Sequence, residues 1–169
     1  MKKISLIDED FMDFPIGEFP YDKNHSAIGE YHFIHFPGFY GRWYDPVCNY
    51  RYNGQGASWC IMEYNGRHYM EQMRLHNTEP HRTFPTLETG DRFWRDYDIE
   101  AGLRMFNTKW GSAGIGFCAQ NSLNLLACIF EDKKLKLVYR HKENVEEIKS
   151  VDFDYNCDDT YNILSLIHI

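Results

Sequence analysis

The chain has 169 residues, a length that suits one domain with a core large enough to fold on its own. Its 25 acidic residues outnumber 18 basic ones, for a formal net charge of −7. That balance excludes a general nucleic-acid binder and an anionic membrane surface as partner, since both need a basic face. Mean hydropathy of −0.57, with no long apolar run, excludes a membrane-spanning helix, while a neutral polysaccharide or small polar ligand stays compatible.

Aromatic residues make up 17% of the chain, with 12 Tyr, 12 Phe and 4 Trp. Aromatic and β-branched residues pack well on a pleated surface, and long helix-building runs of Ala, Leu, Glu and Lys are missing, so the composition predicts a β-rich fold. The start Met1-Lys2-Lys3-Ile4 runs at once into Asp8, Glu9 and Asp10, which leaves no apolar stretch for a secretion signal. The five cysteines (Cys48, Cys60, Cys118, Cys128, Cys157) are odd in number and form no CxxC pair, and three of them lie in apolar strand-like segments. Free, reduced thiols and a cytoplasmic chain are expected, and no Cys/His spacing predicts a zinc site.

In chain order, residues 4–21 read as a short strand leading into an arm punctuated by Pro15, Gly17 and Pro20. Residues 27–36 (AIGEYHFIHF) are a second strand, closed by Pro37-Gly38. An irregular aromatic stretch over 40–52 ends in the loop Asn53-Gly54-Gln55-Gly56. Residues 57–75 (ASWCIMEYNGRHYMEQMRL) carry the clearest local signal, because Asn65-Gly66 between two strand-like runs specifies a type I′ hairpin turn. That turn pairs Tyr64 with Arg67 and Glu63 with His68, which places Trp59, Ile61, Glu63, His68, Met70 and Gln72 on one face.

Residues 77–90 carry Pro80, Pro85 and Gly90 and read as a loop. Residues 96–106 (DYDIEAGLRMF) alternate strictly: Tyr97, Ile99, Ala101, Leu103 and Met105 form an apolar face, against Asp96, Asp98, Glu100 and Arg104. Further strands are expected over 113–119, 124–130, 135–140, 145–148, 151–155 and 161–169, with a turn at Glu131-Asp132-Lys133. Short strands at regular intervals predict an all-β antiparallel sandwich or jelly roll, in one domain spanning 1–169.

The segments Trp94-Arg-Asp-Tyr-Asp-Ile-Glu-Ala, Ala113-Gly-Ile-Gly-Phe, 125–130, Leu135-Lys-Leu-Val-Tyr-Arg and Asp159-Thr-Tyr161 resemble the concanavalin A-like (laminin G-like) jelly-roll superfamily of carbohydrate-active and carbohydrate-binding proteins. The likeness covers about the last half of the chain and is a pattern of strands rather than a catalytic signature. Such domains usually close with a further hairpin that Ser165-Leu-Ile-His-Ile169 does not reach, so the resemblance implies the N-terminal fragment of a longer protein, with the missing C-terminal part as a partner. A structural calcium, frequent in jelly rolls, would use Asp or backbone oxygens, and the sequence places no site for one.

Within that likeness, Asp96, Asp98 and Glu100 resemble the E-x-D-x-E strand of laminarinase-type glycosidases, where the outer glutamates serve as nucleophile and acid/base. Residues four apart on a strand have Cα atoms roughly 13 Å apart, so the side chains must lean together, and Asp96 is one methylene shorter than the family's glutamate. The plain alternative is a solvated polar face opposite a buried apolar one. Separately, Trp43, Tyr44, Tyr50, Tyr52 and Trp59, with Arg42, Arg51, Glu63 and His68 nearby, suit a sugar platform: rings pack on the C–H face of a pyranose and the polar side chains bond its hydroxyls. The same aromatics equally suit core packing. The first expectation is therefore a carbohydrate-binding module or accessory domain with an oligo- or polysaccharide ligand and no cofactor. The alternatives are a laminarinase-like glycoside hydrolase using Glu100 with Asp96 or Glu63, and a structural domain that packs against other parts of a larger protein.

Overall fold

The computed structural model of the chain describes residues 4–19, 43, 59–72, 86–91, 93–106, 112–121, 123–142, 144–157 and 159–167. These residues form antiparallel β-sheets, and no helix occurs among them, let alone one long and apolar enough to cross a membrane. The strand expected over 27–36 and the side chains of Tyr44, Tyr50 and Tyr52 lie outside the described residues. The chain groups into two compact units, 1–91 and 92–169.

In the first unit, β1 (Gly17–Phe19), β2 (Trp59–Tyr64) and β3 (Arg67–Gln72) form a three-stranded sheet in that order. The hairpin has the register that Asn65-Gly66 predicts: Tyr64 lies opposite Arg67, Glu63 opposite His68, Ile61 opposite Met70 and Trp59 opposite Gln72. Both turn residues have positive φ, 53° at Asn65 and 74° at Gly66, as a type I′ turn requires. A Cβ at Gly66 would meet nothing within 4 Å, so Gly66→Ala acts through the backbone alone and is expected to cost about 1–2 kcal/mol. Chemical denaturation of the purified chain, monitored by tryptophan fluorescence, checks this. The buried pair Phe14 and Ile61 anchors a small core on which Phe11, Trp43, Trp59, Met70 and Leu87 pack.

In the second unit, β5 (Ala113–Asn121), β6 (Asn124–Glu131), β7 (Lys134–His141) and β8 (Asn144–Asp152) make a four-stranded antiparallel meander. A two-stranded sheet pairs β4 (Tyr97–Arg104) with β9 (Thr160–Ile167) across more than fifty residues of chain. The two sheets share a core in which Met105, Phe130 and Tyr155 are buried and Leu103, Ala113, Leu135, Tyr161 and Ile163 pack around them. Leu103, Tyr161 and Ile163 come from the two-stranded sheet and Ala113, Phe130 and Leu135 from the four-stranded one, the layering of a β-sandwich. The apolar run 125–130 follows from β6 being covered on both faces: Leu125, Ala127 and Ile129 are buried on one side and Phe130 on the other.

Two local devices shape this unit. The β5–β6 register shifts between Phe117 and Asn121, where Cys118 takes φ 53° and its N–H donates to the Tyr97 hydroxyl at 3.1 Å. Burial, the largest influence on Tyr97, raises its phenol above the ordinary range. The β6–β7 turn puts both Asp132 and Lys133 at positive φ without a glycine. Lys133 is held there by its ammonium, which donates to the Tyr155 carbonyl at 2.6 Å and to Asp154 at 2.9 Å and lies 5.2 Å from the centre of the Tyr155 ring. The four described cysteines, Cys60, Cys118, Cys128 and Cys157, are free thiols, and burial pushes the Cys128 thiol up.

Candidate functional site

The polar face of β4 is real and its geometry is specific. Asp98, Glu100 and Gly102 are exposed, whereas Tyr97, Ile99, Ala101 and Leu103 on the opposite face are half-buried and Met105 just beyond the strand is buried. Regular strand geometry starts at Tyr97; Asp96 precedes it with φ 50°. Asp96, Asp98 and Glu100 are all exposed, as the sequence predicts, but only Asp98 and Glu100 lie within the regular strand, two residues and about 7 Å apart along it.

What the sequence did not indicate is the neighbour. β9 pairs so that Leu166 lies directly opposite Asp98, Leu164 opposite Glu100, Asn162 opposite Gly102 and Thr160 opposite Arg104. Leu164 and Leu166 keep 62% and 59% of their surface exposed, so two carboxylates flank two solvent-facing leucines on one sheet face. The alternation of 160–167 carried the facing of these residues, but nothing local pairs them with residues sixty positions earlier. At the far end of this face the Arg104 Nε–H donates to the Cys157 carbonyl at 3.3 Å, and its guanidinium lies 5.4 Å from the Phe106 ring centre.

The aromatic residues expected to form a platform belong to the first unit. The Trp43 ring packs tilted by 37° against Phe11, with ring centres 5.5 Å apart; its indole N–H donates to Glu9 at 3.0 Å, while a second Glu9 oxygen accepts the Phe11 N–H at 2.9 Å. Trp43 and Trp59 both pack on the Phe14–Ile61 core. Glu63 is exposed at the hairpin end and His68, half-buried, bonds through Nδ1 to the Phe11 carbonyl at 3.2 Å. These contacts tie the segment 9–14 to the hairpin. Trp59 Nε1 and Gln72 Nε2, on directly opposed residues of β2 and β3, are buried with no acceptor among the described residues. Arg42, Tyr44 and Arg51 lie outside the described residues.

A polar cluster that the sequence did not single out ends the four-stranded sheet. Pairing brings Asn121, Asn124, His141 and Asn144 into one row across β5 to β8, with Leu126, Tyr139 and Glu146 in the row two residues further along. No group of three or more His, Cys, Asp or Glu side chains suited to a metal ion occurs among the described residues.

In comparisons with known proteins, the chain matches no family model, no curated protein and no solved structure.

Proposed function

We propose that this chain is a carbohydrate-binding β-sandwich module, of the jelly-roll kind that its second half resembles, and that the outer face of the β4–β9 sheet is its binding surface. The observation that carries the reading is the juxtaposition of exposed Leu164 and Leu166 with Asp98 and Glu100. A pyranose has an apolar C–H face and a rim of hydroxyl donors. The leucines offer area for the first, and the carboxylates accept hydrogen bonds from the second, bonds to charged acceptors being the stronger kind. Gly102 adds room, since a Cβ there would stand 3.6 Å from both Asn162 Oδ1 and Thr160 Cγ2. The free thiols support a reducing, cytoplasmic setting.

The hydrolase reading is the weaker one. A glycosidase closes its two carboxyl groups around the scissile bond away from bulk water, whereas Asp98 and Glu100 both lie exposed to water. Packing of these leucines against another protein surface draws on the same apolar pair and is the outcome if no saccharide binds. A glycan-array measurement on the purified chain, followed by a hydrolysis assay on each hit, separates the three. The expected result is binding of a neutral glycan without turnover. Hydrolysis abolished by Glu100→Gln, a change that typically removes about 10² to 10⁴-fold from acid–base catalysis, overturns the binding reading in favour of an enzyme.

A further inference from the structure

The row at the end of the four-stranded sheet contains a chain of hydrogen bonds whose direction is fixed by the backbone. The Leu123 N–H donates to Asn121 Oδ1 at 2.9 Å, so that atom is an acceptor. Asn124 Nδ2 must then be the group that donates to it at 2.8 Å, which turns Asn124 Oδ1 toward His141. His141 Nδ1 lies 2.9 Å from that oxygen, which can only accept, so this nitrogen carries the proton, and the Tyr139 hydroxyl 3.5 Å from the same nitrogen faces it as a second, longer acceptor. In the neutral imidazole only one nitrogen is protonated, so Nε2 of His141 is left as an acceptor on an exposed side chain. Tyr139 stacks beside the imidazole, with ring centres 6.0 Å apart and planes 26° apart, and keeps 38% of its surface exposed. Directly across from Tyr139 and His141 on β8 stand Glu146 and Asn144, both exposed.

We propose that Tyr139 and His141, oriented by Asn121 and Asn124 and flanked by Glu146, form a second saccharide subsite on the four-stranded sheet, in which His141 Nε2 accepts a hydrogen bond from a sugar hydroxyl and the Tyr139 ring packs on the sugar's C–H face. It rests on the reading of the chain as a saccharide binder only for the class of ligand; its residues lie on a different sheet from Asp98 and Glu100. An imidazole whose tautomer is set by a two-asparagine relay starting at a backbone N–H presents a directed acceptor, and an aromatic beside it supplies the stacking surface that the leucine face lacks. Glu146 and Asn144 widen the choice of hydroxyl partners. Asn124 is a positioning residue, since it reaches a ligand only through His141.

The test is nuclear magnetic resonance on the full chain, titrated in turn with laminarihexaose, cellohexaose, xylohexaose and mannohexaose. The ring signals of His141 and Tyr139 and the backbone signals of Glu100 and Leu164 are followed together. The expected result is a saturable shift of the His141 Nε2 resonance and the Tyr139 ring signals with at least one sugar. His141→Ala and Tyr139→Ala should each weaken that shift's apparent affinity about tenfold, the factor equivalent to 1.4 kcal/mol. Asn124→Ala should leave the fold intact and convert the single Nδ1–H tautomer of His141 into a mixture. Shifts confined to Glu100 and Leu164 overturn the subsite while leaving the binding face of β4–β9 standing. Shifts confined to Tyr139 and His141 uphold the subsite and remove the β4–β9 face. Silence at Tyr139 and His141 with every sugar overturns the subsite.

Discussion

Phe130→Ala is expected to lower the unfolding free energy by about 3–5 kcal/mol, the range for deleting a large buried aromatic. Phe130 is 2% exposed and stands 5.3 Å from the rings of Tyr155 and Tyr161 and 5.5 Å from that of Phe153. It comes from the four-stranded sheet, Tyr161 comes from the two-stranded one, and Tyr155 from the segment between β8 and β9, so one side chain ties three parts of the sandwich together. Native domains are stable by only about 5–15 kcal/mol, so this truncation removes a large part of the total. Equilibrium denaturation of wild type and variant, with equal m-values, gives the number. A loss under about 1 kcal/mol would mean that the two sheets do not share this core.

Gly114→Ala is expected to disrupt β5–β6 pairing and to cost about 3 kcal/mol or more, at or beyond the upper end of overpacking penalties. An ideal Cβ on Gly114 would collide with the Cys128 carbonyl oxygen and would stand 2.7 Å from the Ile129 Cα and 2.9 Å from the Cys128 carbonyl carbon. All of these are backbone atoms of the paired strand, which have no rotamer through which to yield. Gly102→Ala is the matched control. Its Cβ would meet only Asn162 Oδ1 and Thr160 Cγ2, both side-chain atoms at the ordinary distance of 3.6 Å, and its effect should be within about 1 kcal/mol. Thermal unfolding of both variants tests the contrast, and similar midpoints for the two would contradict it.

The parts of this fold that were legible in the sequence are those whose signal is local. Asn65-Gly66 set the register of β2 and β3 because a two-residue turn leaves no freedom to slip. The alternation over 97–104 separated Asp98 and Glu100 from Ile99 and Ala101 because side chains on a strand point to opposite faces in turn. Asp96 continued that alternation on paper, but its φ of 50° lies outside strand geometry, and only the backbone reveals that. The pairing of β4 with β9 carried no signal, since cross-strand partners far apart in sequence are chosen by the whole core. The exposed leucines opposite Glu100 and Asp98 therefore became visible only once the strands were paired. The Asp132-Lys133 turn has no glycine or asparagine to announce positive φ and is held instead by the Lys133 ammonium on Asp154 and the Tyr155 carbonyl. For Trp43 and Trp59, ring chemistry suits a sugar and a core alike, so the sequence left both open; contact with Phe11, Phe14 and Ile61 is a property of packing alone.

The central claim, that the outer face of the β4–β9 sheet binds a saccharide, is tested most directly by titration calorimetry. The strongest neutral hit from the glycan array is titrated into the wild-type chain, Glu100→Ala and Leu164→Asn. Both side chains are exposed, so neither change should alter stability by more than about 0.5 kcal/mol. The expected result is a loss of affinity of about tenfold or more in each variant, the factor corresponding to one hydrogen bond to a charged group or one covered apolar side chain. Unchanged affinity in both variants, or an array on which the folded chain binds no neutral glycan, would contradict it.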